Sequence, residues 1–333
     1  MCADPGRVLA GREGASAAGD PPWDGPALEA SAPLTRPLGH LLAYLQPFRF
    51  DHWIKNLVVP AGSALALVAG PRPVADDLLR ALLLGFLVSG LVSSVNYAIN
   101  EILDAPFDAR HPEKRHRPIP SGRVRVGPLL GLTLGLAAVA AVLTLQLFPA
   151  GFAVAAGALL LDGLIYNLPP LRLKDSPYLD ALVESCTNPI RIAIGWYAVA
   201  LPGTVSPPAL LLASVWAFGA FLMTGKRLGE LRLLGADACR YRPTFSAYTV
   251  SRLLGVQLAY GAAGLLTLTA LLATERPQLL LALPLVVLIV GWILRMTFEP
   301  RSPLIDPEHL YRRPGFLLFA LGTFASLVVL AAR

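Results

Sequence analysis

VGPLLGLTLGLAAVAAVLTLQLFPAGFAVAAGALLL, residues 126–161, contains no Asp, Glu, Lys or Arg. A second charge-free stretch runs from Ile192 to Gly225. A helix needs about 20 apolar residues to cross the hydrocarbon core of a bilayer. Each stretch is therefore long enough for two spans or most of two, with breaks at Pro149 and at PGTVSPP, residues 202–208.

The rest of the chain agrees with this reading. Of its 333 residues 55% are hydrophobic and 15% charged, with a mean hydropathy of +0.58, whereas a soluble domain carries about 25% charged residues. Spans are expected near 53–70, 78–103, 126–147, 150–166, 178–200, 208–225, 250–273, 277–297 and 315–332. The fold class is all-α: a polytopic membrane protein of about nine transmembrane helices around a central cavity. Residues 37–333 are expected to form one intramembrane domain. Residues 1–36, rich in Gly, Ala and Pro, lack the apolar core of a signal peptide and are expected to be a disordered tail. The segment LGHLLAYLQPFRFDHWIKNLVV suits an interfacial helix leading into the first span.

Charge fixes the expected orientation. Lys114, Arg115, Arg117, Arg172, Lys174, Lys226, Arg227, Arg232, Arg240, Arg242, Arg301, Arg312 and Arg313 fall in the loops after the second, fourth, sixth and eighth spans. The positive-inside rule makes that face cytoplasmic, most simply in a bacterial inner membrane. The formal net charge of +6 thus describes topology, and no nucleic-acid partner is implied. Cys2, Cys186 and Cys239 are too far apart in sequence for a CxxC metal site or a disulfide framework. The charge-free stretches exclude a soluble interaction protein.

Two acidic motifs stand out against this apolar background. At the cytoplasmic end of the second span, NEILDAPFD places Asn100, Asp104 and Asp108 at steps of four, on one helical face, with Glu101 beside them and Pro106 able to kink the helix. Carboxylates one turn apart repel unless a cation lies between them, and hard oxygen ligands beside a phosphate are what Mg²⁺ selects. The competing reading is a helix that merely ends in solvated acids. HPEKRHRPIPSG follows at once and brings Lys114, Arg115 and Arg117, suited to neutralising a diphosphate, or simply to a topogenic loop.

The second motif lies in YNLPPLRLKDSPYLDALVESCTNPIR. Asp180, Glu184 and Arg191 form one stripe on an otherwise apolar helix, with Asn188 close to it and Lys174 just upstream. Ionisable groups in a membrane helix are costly and normally functional; an internal Glu184–Arg191 ion pair is the alternative. Asp162, four residues before Tyr166, is expected to make a structural hydrogen bond. Tyr97, Tyr166 and Tyr178 sit near the mouth, where packing roles are the simplest reading. A transporter would also carry polar stripes, but its charges would gather at mid-span and an inverted repeat would be visible.

With these motifs in view, the chain resembles the UbiA superfamily of intramembrane prenyltransferases. That superfamily carries NDxxDxxxD and, later, an acidic motif preceded by Tyr and Lys; here these are NEILDAPFD and Tyr166, Lys174, Asp180 and Glu184. Glu101 stands where Asp is commoner, and Glu184 replaces the second Asp. The likeness runs from about residue 40 onward.

The resemblance implies a catalytic set of Asn100, Asp104, Asp108, Asp180 and Glu184, with Mg²⁺ on Asp104, Asp108, Asp180 and Glu184. It also implies a diphosphate held by Lys114, Arg115, Arg117, Tyr166, Lys174 and Arg191. The expected reaction is transfer of a polyprenyl group from a polyprenyl diphosphate to a small-molecule or lipid acceptor, in contact with membrane lipids. HPEKRHRPI and GKRLGE, Gly225 to Glu230, resemble the branch that transfers phosphoribose from phosphoribosyl diphosphate to a polyprenyl phosphate, which is the alternative. A non-catalytic transporter is the second alternative.

Overall fold

In lipid a backbone must satisfy its own hydrogen bonds, so apolar runs without polar relief become helices. The computed structural model describes residues 37–69, 75–109, 114–200, 206–235, 238–305, 310 and 312–331, and among them every regular element is helical. The tail expected at 1–36 lies outside the described residues.

The helices are α1 (Pro37–Ala43), α2 (Val58–Ala69), α3 (Ala75–Asp108), α4 (Val126–Leu147), α5 (Ala150–Asn167), α6 (Leu179–Val199), α7 (Ala209–Leu234), α8 (Ala238–Tyr241), α9 (Val250–Glu275), α10 (Leu283–Thr297) and α11 (Pro314–Ala331). Six segments among the described residues are long and apolar enough to cross a membrane: Asp77–Asp108, Val126–Leu147, Ala150–Asn167, Ala209–Leu234, Val250–Glu275 and Pro277–Thr297. The other three expected spans coincide with α2, α6 and α11. The chain is an integral membrane protein with the expected all-helical bundle.

Two differences from the sequence reading have physical causes. The first expected span is shorter as an α-helix, because Phe50–Leu57, which contains Asp51, His52 and Lys55, forms a 3-10 helix leading into the 12 residues of α2. α6 carries Asp180, Glu184 and Arg191, too much charge for a lipid-facing span, and packs instead against α2, α3, α5 and α7.

α4 shows the opposite pattern. Leu130, Leu134 and Leu145 are exposed as lipid would require, and the hydroxyls of Thr133 and Thr144 donate to the carbonyls of Leu129 and Ala140 at 2.8 and 2.7 Å. A polar side chain is thereby satisfied within its own helix.

The crossing of α2 and α6 is very close. A Cβ on Gly195 would overlap the Val59 carbonyl oxygen, and one on Gly62 would overlap that of Ile192. Small residues let membrane helices approach in this way. Ser63 Oγ seals the crossing by donating to the Gly195 carbonyl at 2.7 Å. α3, with 34 residues, is about 50 Å long at 1.5 Å per residue, against a hydrocarbon core of about 30 Å. Its motif-bearing end therefore projects to the membrane boundary.

Candidate active site

One wall of the site is a polar stripe on α3. Ser89, Ser93, Asn96, Asn100 and Asp104 follow at steps of four, three, four and four residues, which keeps them within roughly 80° around the helix. α5 faces it with Asp162, Tyr166 and Asn167, and α6 with Glu184, Thr187, Asn188 and Arg191. Between them lies a cavity of about 860 Å³, a volume suited to a small-molecule substrate. Arg49, His52 and Lys55, from the chain before α2, border it, and later loops add Lys114, Arg117, Lys174 and Arg242.

At the mouth, Asp104 Oδ1 accepts from Lys174 Nζ at 2.6 Å and from Arg172 Nη2 at 2.8 Å. Lys174 also donates to Asn167 Oδ1 at 3.0 Å, the oxygen that receives Asn100 Nδ2 at 2.5 Å. Three chain segments are thus tied at one point. Arg172 reaches it from a left-handed backbone conformation, φ 34°, uncommon for a residue with a side chain. Burial pulls the Lys174 ammonium below the usual lysine range, by more than its bond to Asp104 restores. Burial lowers Lys114 as well.

Behind α6 lies a second charged assembly. Arg227, 1% exposed, donates through its three nitrogens to three carboxylates: Nε to Asp180 Oδ2 at 2.8 Å, Nη2 to Glu184 Oε2 at 2.8 Å and Nη1 to Glu230 Oε2 at 3.1 Å. Arg242 Nη1 and the Tyr248 hydroxyl complete the shell of Asp180 at 3.0 and 2.5 Å. A planar guanidinium is the one side chain able to bind several carboxylates at fixed angles. Tyr166 donates to Glu184 Oε2 at 3.4 Å.

The residues expected from sequence therefore divide. Asn100, Asp104, Lys114, Arg117, Tyr166, Lys174, Glu184 and Arg191 line one cavity. Asp108, Asp180 and Arg115 do not. One further step of four carries Asp108 about 80° around α3 from Asn100, so it is buried against the following loop, where Arg117 Nη1 meets it at 2.5 Å. Asp180 is fully buried and saturated by Arg227, Arg242 and Tyr248. Arg115 is exposed, its Nε donating to His116 Nε2 at 3.3 Å. The four acids expected to share metal ions do not converge. Among the described residues no group of three or more His, Cys, Asp or Glu side chains stands close enough to hold an ion.

Sequence reasoning missed Asn167, Ser93 and Tyr248, counted Arg172 and Arg242 only as loop charge, and noted Arg227 only as loop charge and within GKRLGE. The steps of three and four from Ser89 to Asp104 were a legible signal. The Arg227 partners, 43 and 47 residues back in sequence, had none. The alternative reading of that stripe, a Glu184–Arg191 ion pair, is absent among the described residues, because Arg227 takes Glu184. Asp162 forms no hydrogen bond among the described residues, contrary to expectation. Glu101 is buried and accepts from the Ile119 backbone N–H, anchoring the loop that carries Arg117.

Residues 57–304 match the UbiA prenyltransferase family. The chain is 32% identical over 227 residues to a decaprenyl-phosphate phosphoribosyltransferase of Mycolicibacterium smegmatis, covering 68% of this chain and 69% of that one. It is 30% identical over 220 residues to the enzyme of the same name from Mycobacterium tuberculosis, covering 65% and 69%. Among solved structures, a UbiA homolog from Archaeoglobus fulgidus bound to GPP and Mg²⁺ superposes with a TM-score of 0.64 at 17% identity, over 87% of this chain and 100% of that one.

Proposed function

This chain belongs to the UbiA prenyltransferase family, and within it we propose that it transfers a phosphoribosyl group from phosphoribosyl diphosphate to a polyprenyl phosphate, at the cytoplasmic face of a bacterial inner membrane. The reading reverses the order in which the sequence ranked the two reactions. One observation carries it: among the charged groups that line the cavity, cations outnumber acids. Arg49, Lys55, Lys114, Arg117, Lys174, Arg191 and Arg242 face only Asp104, Asp162 and Glu184 among acids. Ser93, Asn96, Asn100, Asn167, Thr187 and Asn188 add amides and hydroxyls.

Ile54, Leu57, Val58, Leu159, Leu222 and Met223 give the cavity an apolar wall as well, which suits the tail of a lipid acceptor. The cations, amides and hydroxyls of the lining suit a polyhydroxylated substrate with several phosphates. The relatives named for phosphoribosyl transfer support the same choice.

The donor set fits Mg²⁺. Asp104 engages Arg172 and Lys174 through Oδ1, and among the described residues its Oδ2 has no protein partner; Glu184 uses Oε2 and keeps Oε1. Mg²⁺ is commonly held by one or two carboxylates together with substrate phosphates. When bound, it withdraws charge from the diphosphate.

Lys114, Arg117 and Lys174 hold the diphosphate oxygens and stabilise the charge that grows on them as the bond from ribose C1 breaks. An oxygen of the lipid phosphate forms the new bond to C1, and diphosphate departs with the electron pair. Asp162 and the asparagines hold the ribose hydroxyls.

The test is incubation of purified protein with Mg²⁺, labelled phosphoribosyl diphosphate and a polyprenyl phosphate. Label should enter the lipid fraction with release of diphosphate. Absence of labelled lipid, with prenyl transfer from a polyprenyl diphosphate in parallel reactions, would overturn the reading.

A further inference from the structure

Arg191 differs from the other cations around the cavity in where it sits and what holds it. It lies on α6 seven residues past Glu184, about 10 Å deeper along the axis. The residue is 6% exposed, and its guanidinium is oriented by neutral groups: Nε donates to Asn56 Oδ1 at 2.9 Å and Nη2 to Ser93 Oγ at 3.4 Å. Ser89 donates to the same Asn56 oxygen at 3.2 Å.

Among the described residues no carboxylate forms an ion pair with it. Asp104, Asp108, Asp180 and Glu184 are paired with Arg172, Lys174, Arg117, Arg227 and Arg242. Asp162 acts on Arg191 electrostatically, yet forms no ion pair with it among the described residues. Leaving a charge uncompensated in a membrane interior is costly. The backbone just after Arg191 is nevertheless fixed, because Ile192 and Gly195 lie in the close crossing with α2. The guanidinium is thus oriented by neutral groups, without an ion pair among the described residues, and presented to the cavity.

We infer that Arg191, with Ser93 beside it, forms a second anion subsite at the inner end of the cavity, built for a phosphomonoester and separate from the diphosphate site at the mouth. This rests on the phosphoribosyl reading, which supplies two such groups: the 5-phosphate of the donor and the phosphate of the lipid acceptor.

Full-length protein with Mg²⁺ is titrated with inorganic diphosphate, phosphoribosyl diphosphate and a short-chain polyprenyl phosphate, as wild type, Arg191→Met and Arg191→Lys. Inorganic diphosphate occupies only the mouth and reports that the site is folded. Arg191→Met should weaken one phosphomonoester ligand by roughly tenfold or more while inorganic diphosphate stays within about twofold. Loss on the donor assigns the 5-phosphate, and loss on the acceptor assigns the lipid phosphate.

Unchanged affinity for both, or a parallel fall of all three, overturns the subsite. If Arg191→Met does not fold, Arg191→Lys decides alone. That variant keeps the charge but not the fork that Asn56 and Ser93 orient, and about a threefold selective loss is expected. Wild-type protein that binds phosphoribosyl diphosphate no better than inorganic diphosphate, and ignores polyprenyl phosphate, would sink the functional reading instead.

Discussion

Asp104 and Asp180 carry the same functional group on the two helices that the sequence singled out, yet their surroundings are opposite. Asp104 keeps 20% of its side chain exposed at the cavity mouth, whereas Asp180 is wholly buried between two guanidiniums and a phenol. Asp104→Asn should lower turnover by about 100-fold or more, because it removes a carboxylate that would hold Mg²⁺ against the leaving group, with a smaller loss of melting temperature than Asp180→Asn. Asp180→Asn should instead cost about 3 kcal/mol of stability, the order expected when a buried ion pair loses one partner. Thermal melts in detergent beside transfer rates separate the two; a stable Asp180→Asn protein would remove that residue from the structural frame. Lys114 yields a pH prediction. Burial lowers its pKa, Arg117 and Arg242 push the same way, and Asp108 and Asp104 oppose. A lowered lysine pKa means that the charge disappears earlier as pH rises, so kcat/KM for the donor should fall on the alkaline side sooner than an ordinary lysine would allow. Lys114→Arg, charged throughout this range, should flatten that limb. A wild-type profile that the substitution leaves unaltered would assign the titration elsewhere.

Among the elements, α3 and α6 mark how far the sequence was legible. Charge-free runs announced α4, α5 and α7 because nothing in them competes with lipid. The steps of four in NEILDAPFD announced a polar face, and the drift that carries Asp108 off it follows from the same 3.6-residue turn. The role of α6 was only half visible: its stripe could be read, but not that Arg227 and Arg242, from later segments, would hold Asp180 away from the cavity while Glu184 stays in its lining. Nor could sequence show that α2 and α6 touch through Gly62 and Gly195, since a glycine in a membrane helix looks the same wherever it packs. The crossing can be tested directly. Gly195→Val forces its side chain into the Val59 carbonyl, an overpacking that costs about 1–3 kcal/mol. Because Arg191 lies one turn away, KM for the substrate whose phosphate it binds should rise together with the loss of stability. A melting temperature equal to wild type would show that the helices are not in contact there.

For the molecule as a whole, the electrostatics of the cavity set the order in which ligands arrive. Its lining bears more positive than negative charge, and each motif carboxylate already has a cationic partner. A divalent cation approaching alone therefore meets net repulsion and carboxylates whose charge is largely shared. A diphosphate reverses both conditions: it neutralises Lys114, Arg117 and Lys174, and brings the additional hard oxygens that Mg²⁺ coordination needs. Titration calorimetry should accordingly detect no Mg²⁺ binding at millimolar concentration in the absence of phosphate, and clear binding once inorganic diphosphate is present. Linkage requires that Mg²⁺ strengthen diphosphate binding by the same factor, so the two titrations check each other. Asp104→Asn should reduce that coupling, while Asp162→Asn should leave it intact if Asp162 holds the sugar, as proposed, and not the metal. Tight Mg²⁺ binding to the protein alone would mean that carboxylates assemble around the ion after leaving their arginine and lysine partners, and the ligand order argued from this charge balance would be wrong.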